Sequence, residues 1–331
     1  MTTAPSWPDV LSSWSFPAVV GPLAVAATAG YLWLLRRASA ARADARVGHW
    51  RPVIAWLLGM LALVVAVDGP VGRWADTLFW VHMVQHLLLI MVVPVLVVWA
   101  RPIRLIRDTR RPSESAARPG RPLRWATAPL TGLVAYSAVV VLTHLTGFQQ
   151  LSATHPAVRA AELALYVVAG YLFFLPTLSV ERGPWSLPHL LRFLLLVLGM
   201  GADTLTGVAL MLTTRPLAPA YAATHSGWGP TALADQELAG AVMWFGGDLL
   251  MMLLIIVVAV QWSRAAAERQ GLGDWLEGVR RRAVLAGPAG TDSEGGVEID
   301  DDEDALRSYN AMLADLHRRE RGGRGAGRTT P

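Results

Sequence analysis

Seven runs of mostly apolar residues, near 16–35, 52–68, 78–99, 128–147, 157–179, 189–213 and 237–262, alternate with short polar connections. Each approaches the roughly 20 residues that an α-helix needs to cross a bilayer. In lipid every backbone N–H and C=O must be satisfied internally, so runs of this kind predict helices rather than open sheet. The pattern predicts an all-α, polytopic membrane protein: a seven-transmembrane-helix bundle over residues 1–262. No internal repeat is visible. Past Trp262 the apolar pattern stops. The cytoplasmic tail, 263–331, passes through Arg280, Arg281 and Arg282 into an acidic low-complexity run from Asp292 to Asp304, which predicts disorder. Leu306, Tyr309, Leu313 and Leu316 then recur at helical spacing and predict a short amphipathic helix near 305–319.

Charge orients this pattern. The connection after the first run carries Arg36, Arg37, Arg42, Arg46 and Arg51, and that after the third carries eight arginines between Arg101 and Arg124. The intervening connections hold only Arg73, Arg159 and Arg215, and no basic residue precedes Phe16. By the positive-inside rule the N-terminus lies outside and the C-terminus in the cytoplasm. Tryptophans mark both interfaces, Trp33, Trp50, Trp99, Trp125 and Trp262 at inner ends and Trp74, Trp80 and Trp228 at outer ones. A mean hydropathy of +0.38 with 53% hydrophobic residues excludes an ordinary soluble domain. The net charge of +4 reflects orientation, with no nucleic-acid signal in arginines that flank membrane spans. The first run lacks a basic leader and is long enough to span, so it is expected to be retained. No cysteine is present, so thiolate ligation and disulfides are excluded.

The candidate chemistry gathers on one side. His82, His86, His144, His155 and His225 all map to the outer half. Ionisable residues are costly in a membrane, which makes this bias a functional signal. His82 and His86 stand four apart on one helix face with Gln85 beside them. Such imidazoles can hold copper, zinc or iron, or hydrogen-bond across helices. His144 matches their depth, and His82, His86 and His144 are the candidate metal ligands. His155, before Pro156, Asp203 and Asp235 are candidates to support or join that set, as is Gln85. Asp248, after Gly246 and Gly247, is expected as a buried structural or proton-relay acid. Met211, Met243, Met251 and Met252 read as packing residues.

The run His82-Met83-Val84-Gln85-His86-Leu87-Leu88-Leu89, then Pro94 and Arg101-Pro102, resembles the signature helix of the CtaG-like family of caa3-type cytochrome c oxidase assembly factors. The stretch from Asp235-Gln236 through Gly240 to Met243-Trp244 is similar to that family's last helix, and Thr143-His144, His155-Pro156, Glu162 and Gly170 to its middle section. The resemblance covers roughly residues 16–262. It implies a seven-helix protein of the bacterial plasma membrane, a non-enzymatic factor that assists copper insertion into, or stabilisation of, a haem–copper oxidase subunit at the outer face. Oxidase subunits and the lipid bilayer are the expected partners, homo-oligomers are allowed, and copper is the expected ion. Arg159 and Leu163 stand where the resemblance leads one to expect further histidines. Two other readings of the residues stay open: a haem b or quinone-linked electron-transfer protein with a trans pair such as His86 and His144, and a transporter or proton channel using Asp203 and Asp248.

Overall fold

The computed structural model describes residues 6–14, 19–40, 50–109, 121–178, 187–224 and 228–285. The expected acidic run and the helix near 305–319 lie outside them, as do His49, His225 and His317. The chain divides into two units, Met1–Val260 and Gln261–Pro331, and the site lies in the first.

Among the described residues all regular structure is helical. A short α1 (Trp7–Leu11) precedes α2 (Val20–Ala40) and α3 (Trp50–Val67), and α4 (Pro70–Ala75) continues the latter after a tight turn. The third expected run forms α5 (Phe79–Leu87), a π-helical turn (Leu88–Val92) and α6 (Val93–Ala100), and α7 (Pro102–Thr109) follows. Next come α8 (Arg121–Ala126), α9 (Pro129–Leu145), α10 (Phe148–Thr154), α11 (Pro156–Leu178), α12 (His189–Leu212) and α13 (Ala220–Thr224). Helix α14 (Ala232–Ala241), a second π-helical turn (Val242–Gly246) and α15 (Gly247–Leu285) complete the order.

Five of these stretches are long and apolar enough to cross a membrane: Trp50–Ala75, Phe79–Thr109, Pro156–Leu178, His189–Leu212 and Ala232–Ala267. A sixth forms if α9 and α10 count as one broken span. The expected first run appears as the 21-residue α2, shifted toward the C-terminus. It is less apolar than the others because small residues fill it and Arg36 and Arg37 lie within it. Outward faces are apolar, with Leu205, Leu212, Phe245 and Leu249 all exposed, as a lipid solvent requires. The core gathers Tyr136, Tyr166, Phe173, Phe174, Met83, Leu89, Met243 and Met251, so Met243 and Met251 take the packing role expected of them.

Three local features position the site. Helix α5 has no side-chain cap of its own, and Asp235 of α14 supplies one across the bundle, accepting from Phe79 N at 2.8 Å and Trp80 N at 3.0 Å. The carboxylate meets the positive end of the helix dipole there. Helix α14 has its own cap in Thr231, so Asp235 orients α5 rather than the helix that carries it. Asp235→Ala removes two charge-assisted hydrogen bonds, one buried and one part-buried, and should cost about 2–3 kcal/mol. The check is thermal unfolding in detergent, with Asp235→Asn falling between the alanine variant and wild type.

The second feature is the π-helical turn below the histidines. Pro94 has no N–H to donate to the carbonyl of Ile90, so the regular ladder breaks there. Gly170 of α11 packs against that carbonyl, and a Cβ at Gly170 would collide with it and stand 2.9 Å from the Pro94 ring. The third is a bend. Helix α9 stops at Leu145, and α10 leaves it at 75° and folds back toward α11. The segment between the fourth and fifth expected runs is therefore a short helix that carries polar side chains inward.

A buried histidine cluster as candidate functional site

The candidate site lies where the N-terminal parts of α5 and α11 meet the C-terminal end of α9. His82, His86, His144 and Glu162 are all fully buried. The rings of His86 and His144 stand 4.6 Å apart, and His86 lies 4.5 Å from the Tyr166 ring. His82 is more distant, 6.5 Å from His144 between ring centres.

Hydrogen bonds assign each imidazole a different role. His144 Nδ1 stands 2.7 Å from the carbonyl of Val140. A carbonyl only accepts, so Nδ1 carries the proton and Nε2 keeps the lone pair. Among the described residues that Nε2 has no hydrogen-bond partner, and neither nitrogen of His86 has one. Buried polar atoms are seldom left so. A histidine that donates one ring N–H to a backbone carbonyl and holds the other nitrogen open has the arrangement typical of a metal ligand.

His82 is engaged elsewhere. Its Nδ1 accepts from Arg159, and since a guanidinium only donates, the ring proton lies on Nε2. That nitrogen sits 3.5 Å from Glu162 Oε1, an electrostatic contact rather than an aligned hydrogen bond. Sharing a helix face with His86 therefore does not give His82 the same surroundings. Among the described residues no group of three or more His, Asp or Glu side chains is placed to hold a metal ion together.

Glu162 is the hub of the polar network. It accepts from Gln149 Nε2 at 2.7 Å, Ser152 Oγ at 2.5 Å and the Tyr166 hydroxyl at 2.6 Å. Arg159 NH1 approaches it at 3.4 Å. The same guanidinium donates to Gln85 Oε1 at 2.8 Å and to the Ala75 carbonyl at 3.3 Å, and reaches the exposed Asp76 at 3.4 Å. Gln85 donates in turn to the Ala66 carbonyl at 2.7 Å, so it supports the site through Arg159. Tyr221 of α13 closes the cluster, its ring 6.3 Å from that of His82. Burial pushes the Tyr221 hydroxyl above the usual phenol range, against the pull of Arg159.

The remaining candidates fall outside the cluster. His155 is exposed at the end of α10, bonded to Thr154 and to the Leu151 carbonyl. Asp203 is fully buried but takes its hydrogen bond from Tyr136 at 2.7 Å, with Oδ1 unpartnered. Asp248 is half-buried rather than buried, and accepts from Thr204 at 2.7 Å. Asp235 acts on backbone, as described.

Arg159, Glu162, Tyr166, Gln149 and Ser152 are the residues that sequence reasoning left out of the site. A signal existed for three of them: Arg159, Glu162, Tyr166 and Gly170 lie at i, i+3, i+7 and i+11, one stripe on an otherwise apolar helix. Gln149 and Ser152 offered none, being in a segment that reads as a connection.

The fold and site define a multi-pass helical membrane protein with a buried histidine–carboxylate centre near one end of its bundle. The family model for the cytochrome c oxidase caa3 assembly factor matches residues 29–265, and the chain belongs to that family. An uncharacterised protein of Mycobacterium leprae (strain TN) is 27% identical over 93% of this chain and 45% of its own length. Uncharacterised proteins of Mycobacterium bovis and Mycobacterium tuberculosis (strain CDC 1551 / Oshkosh) are each 28% identical over 96% of this chain and 46% of theirs. The chain thus spans about half the length of these curated relatives. No solved structure matches it.

Proposed function

We propose that this protein is an assembly factor for a haem–copper oxidase, and that it holds a copper ion transiently at His86 and His144 for an oxidase subunit. The observation that carries the copper reading is the pair of buried imidazoles in ring contact with open nitrogens, one of them preset by the Val140 carbonyl. Copper is cargo here, and two imidazoles without sulfur favour an affinity modest enough for release. Ring contact at 4.6 Å favours an ion over a haem, whose macrocycle would have to separate the two rings.

The positive-inside distribution of arginines supports a site facing the outer side, with the N-terminus outside and α2 as a seventh span beside the six of the apolar bundle. Contacts between α2 and its neighbours support that addition: Tyr31 donates to the Ala100 carbonyl at 2.9 Å, and Asp68 caps the start of α2 through Gly21 N at 2.5 Å. The reading involves no catalysis by this chain.

The test is metal content and visible spectrum of protein purified in mild detergent from copper-supplied cells. Copper near one ion per chain is expected, absent from the His86→Ala, His144→Ala double variant, together with lower oxidase copper in cells carrying that variant. Copper retained by the double variant, or oxidase copper unaffected by it, would remove the metal reading. A Soret band lost with the same two histidines would replace it with haem.

A further inference from the structure

Among the cluster's residues, Arg159 has the widest reach. Its guanidinium spans His82 Nδ1, Gln85 Oε1, Glu162 Oε2, the Ala75 carbonyl and Asp76, while its side chain is only 12% exposed. One fixed cation thus occupies one of the three imidazoles and pairs with the cluster's carboxylate. What remains for an arriving ion is His144 Nε2 and whichever nitrogen of His86 does not carry the ring proton, both neutral ligands.

Two consequences follow from elementary chemistry. Zinc favours four ligands, and cupric copper a square-planar or tetragonal set. Here neither would find the anion that offsets a double charge. A guanidinium is always charged, and its repulsion of a divalent ion is twice that of a monovalent ion at the same distance. A soft monovalent ion such as Cu(I) needs neither the third imidazole nor the carboxylate.

Resting on the copper reading above, we propose that Arg159 is the specificity-determining residue of this site: by occupying Glu162 and His82 it reserves the His86–His144 pair for a monovalent ion and excludes divalent ones. Removing the guanidinium takes a fixed positive charge away from the pair, frees His82 Nδ1 and leaves the Glu162 carboxylate without Arg159 as counter-charge, a negative charge that attracts a divalent ion twice as strongly as a monovalent one. Arg159 is a positioning residue, since it touches the donors and not the ion.

The experiment is titration of the full chain in detergent with Ag(I), a redox-inert stand-in for Cu(I), and with Zn(II), read by calorimetry and by metal retained after desalting. Wild type should retain about one silver ion and bind zinc at least tenfold more weakly. Arg159→Gln should gain at least tenfold in zinc affinity with silver changed less than about threefold, and adding Glu162→Gln should remove most of that gain. His82→Ala should leave silver binding within about threefold of wild type.

Silver bound with zinc unchanged in Arg159→Gln would overturn the role of Arg159 while leaving the copper reading standing. Silver bound by neither wild type nor variant would overturn both. The wild-type comparison needs no variant to fold: zinc bound as tightly as silver would itself overturn the proposal.

Discussion

Glu162→Ala should be the most destabilising single substitution in the cluster. The carboxylate is fully buried and is the shared acceptor for Gln149, Ser152 and Tyr166 as well as the counter-charge for Arg159. Removing it leaves a guanidinium that is nearly buried itself, and cannot lose its proton, with the exposed Asp76 in place of a buried counter-charge. Breaking one partner of a buried pair costs about 3–5 kcal/mol, mostly as the penalty of leaving the other charge uncompensated. The orphaned donors on α10 add to it, because their bonds to Glu162 hold the folded-back helix against α11. The expected result is a large fall in the thermal unfolding midpoint in detergent, or loss of folded protein from the membrane. Glu162→Gln should fall less, since one acceptor oxygen remains. A Glu162→Ala protein within about 1 kcal/mol of wild type would mean that Arg159 is not held by this pair.

Gly170→Val should be the second. A Cβ at this position overlaps the Ile90 carbonyl at the π-helical turn and crowds the Pro94 ring, and both obstacles are backbone or ring atoms that cannot rotate away. Helix α11 must therefore move off α5 and α6. Overpacking of this sort costs about 1–3 kcal/mol and more where no side chain can yield. The functional effect should exceed the stability effect. Tyr166 and Glu162 sit one and two turns from Gly170 on the same face, so a shift of α11 separates them from His82 and His86. On the copper reading proposed above, metal retention is expected to fall several-fold in protein that still folds, whereas Gly170→Ala should show the same changes at smaller amplitude. Unchanged metal binding in a folded Gly170→Val protein would uncouple the π-helical turn from the site.

Much of the bundle was legible because a bilayer imposes a simple rule on sequence. Runs near 52–68, 78–99, 157–179, 189–213 and 237–262 correspond to the five spans, with ends displaced by up to ten residues, the largest at Thr109. The fourth run was legible only to Leu145. The chain beyond it is polar enough to read as a connection, and its helix exists because Gln149 and Ser152 find an acceptor in Glu162. The π-helical turns were not legible either, since they answer to contacts such as Gly170 against Ile90 rather than to residue preference alone.

The site divides in the same way. His86 and His144 were chosen from depth and residue type, and both are central. His82 was chosen on equal grounds, yet Arg159 holds it aside. Arg159 itself stood out only as a departure from an expected histidine, because a sequence cannot say that a guanidinium on one helix reaches an imidazole 77 positions earlier. Asp235, a candidate to support the histidines, acts on the backbone of another helix.

The sequence by itself determined that the chain is a multi-pass helical membrane protein, which family it belongs to, and which side chains are costly enough in lipid to need a purpose. Those properties depend on composition, periodicity and local spacing. Only the tertiary structure decided which imidazoles keep open nitrogens and which carboxylate and cation neutralise each other. Hydrogen-bond partnership between helices depends on distances of a few ångströms across the bundle, and no local pattern encodes them.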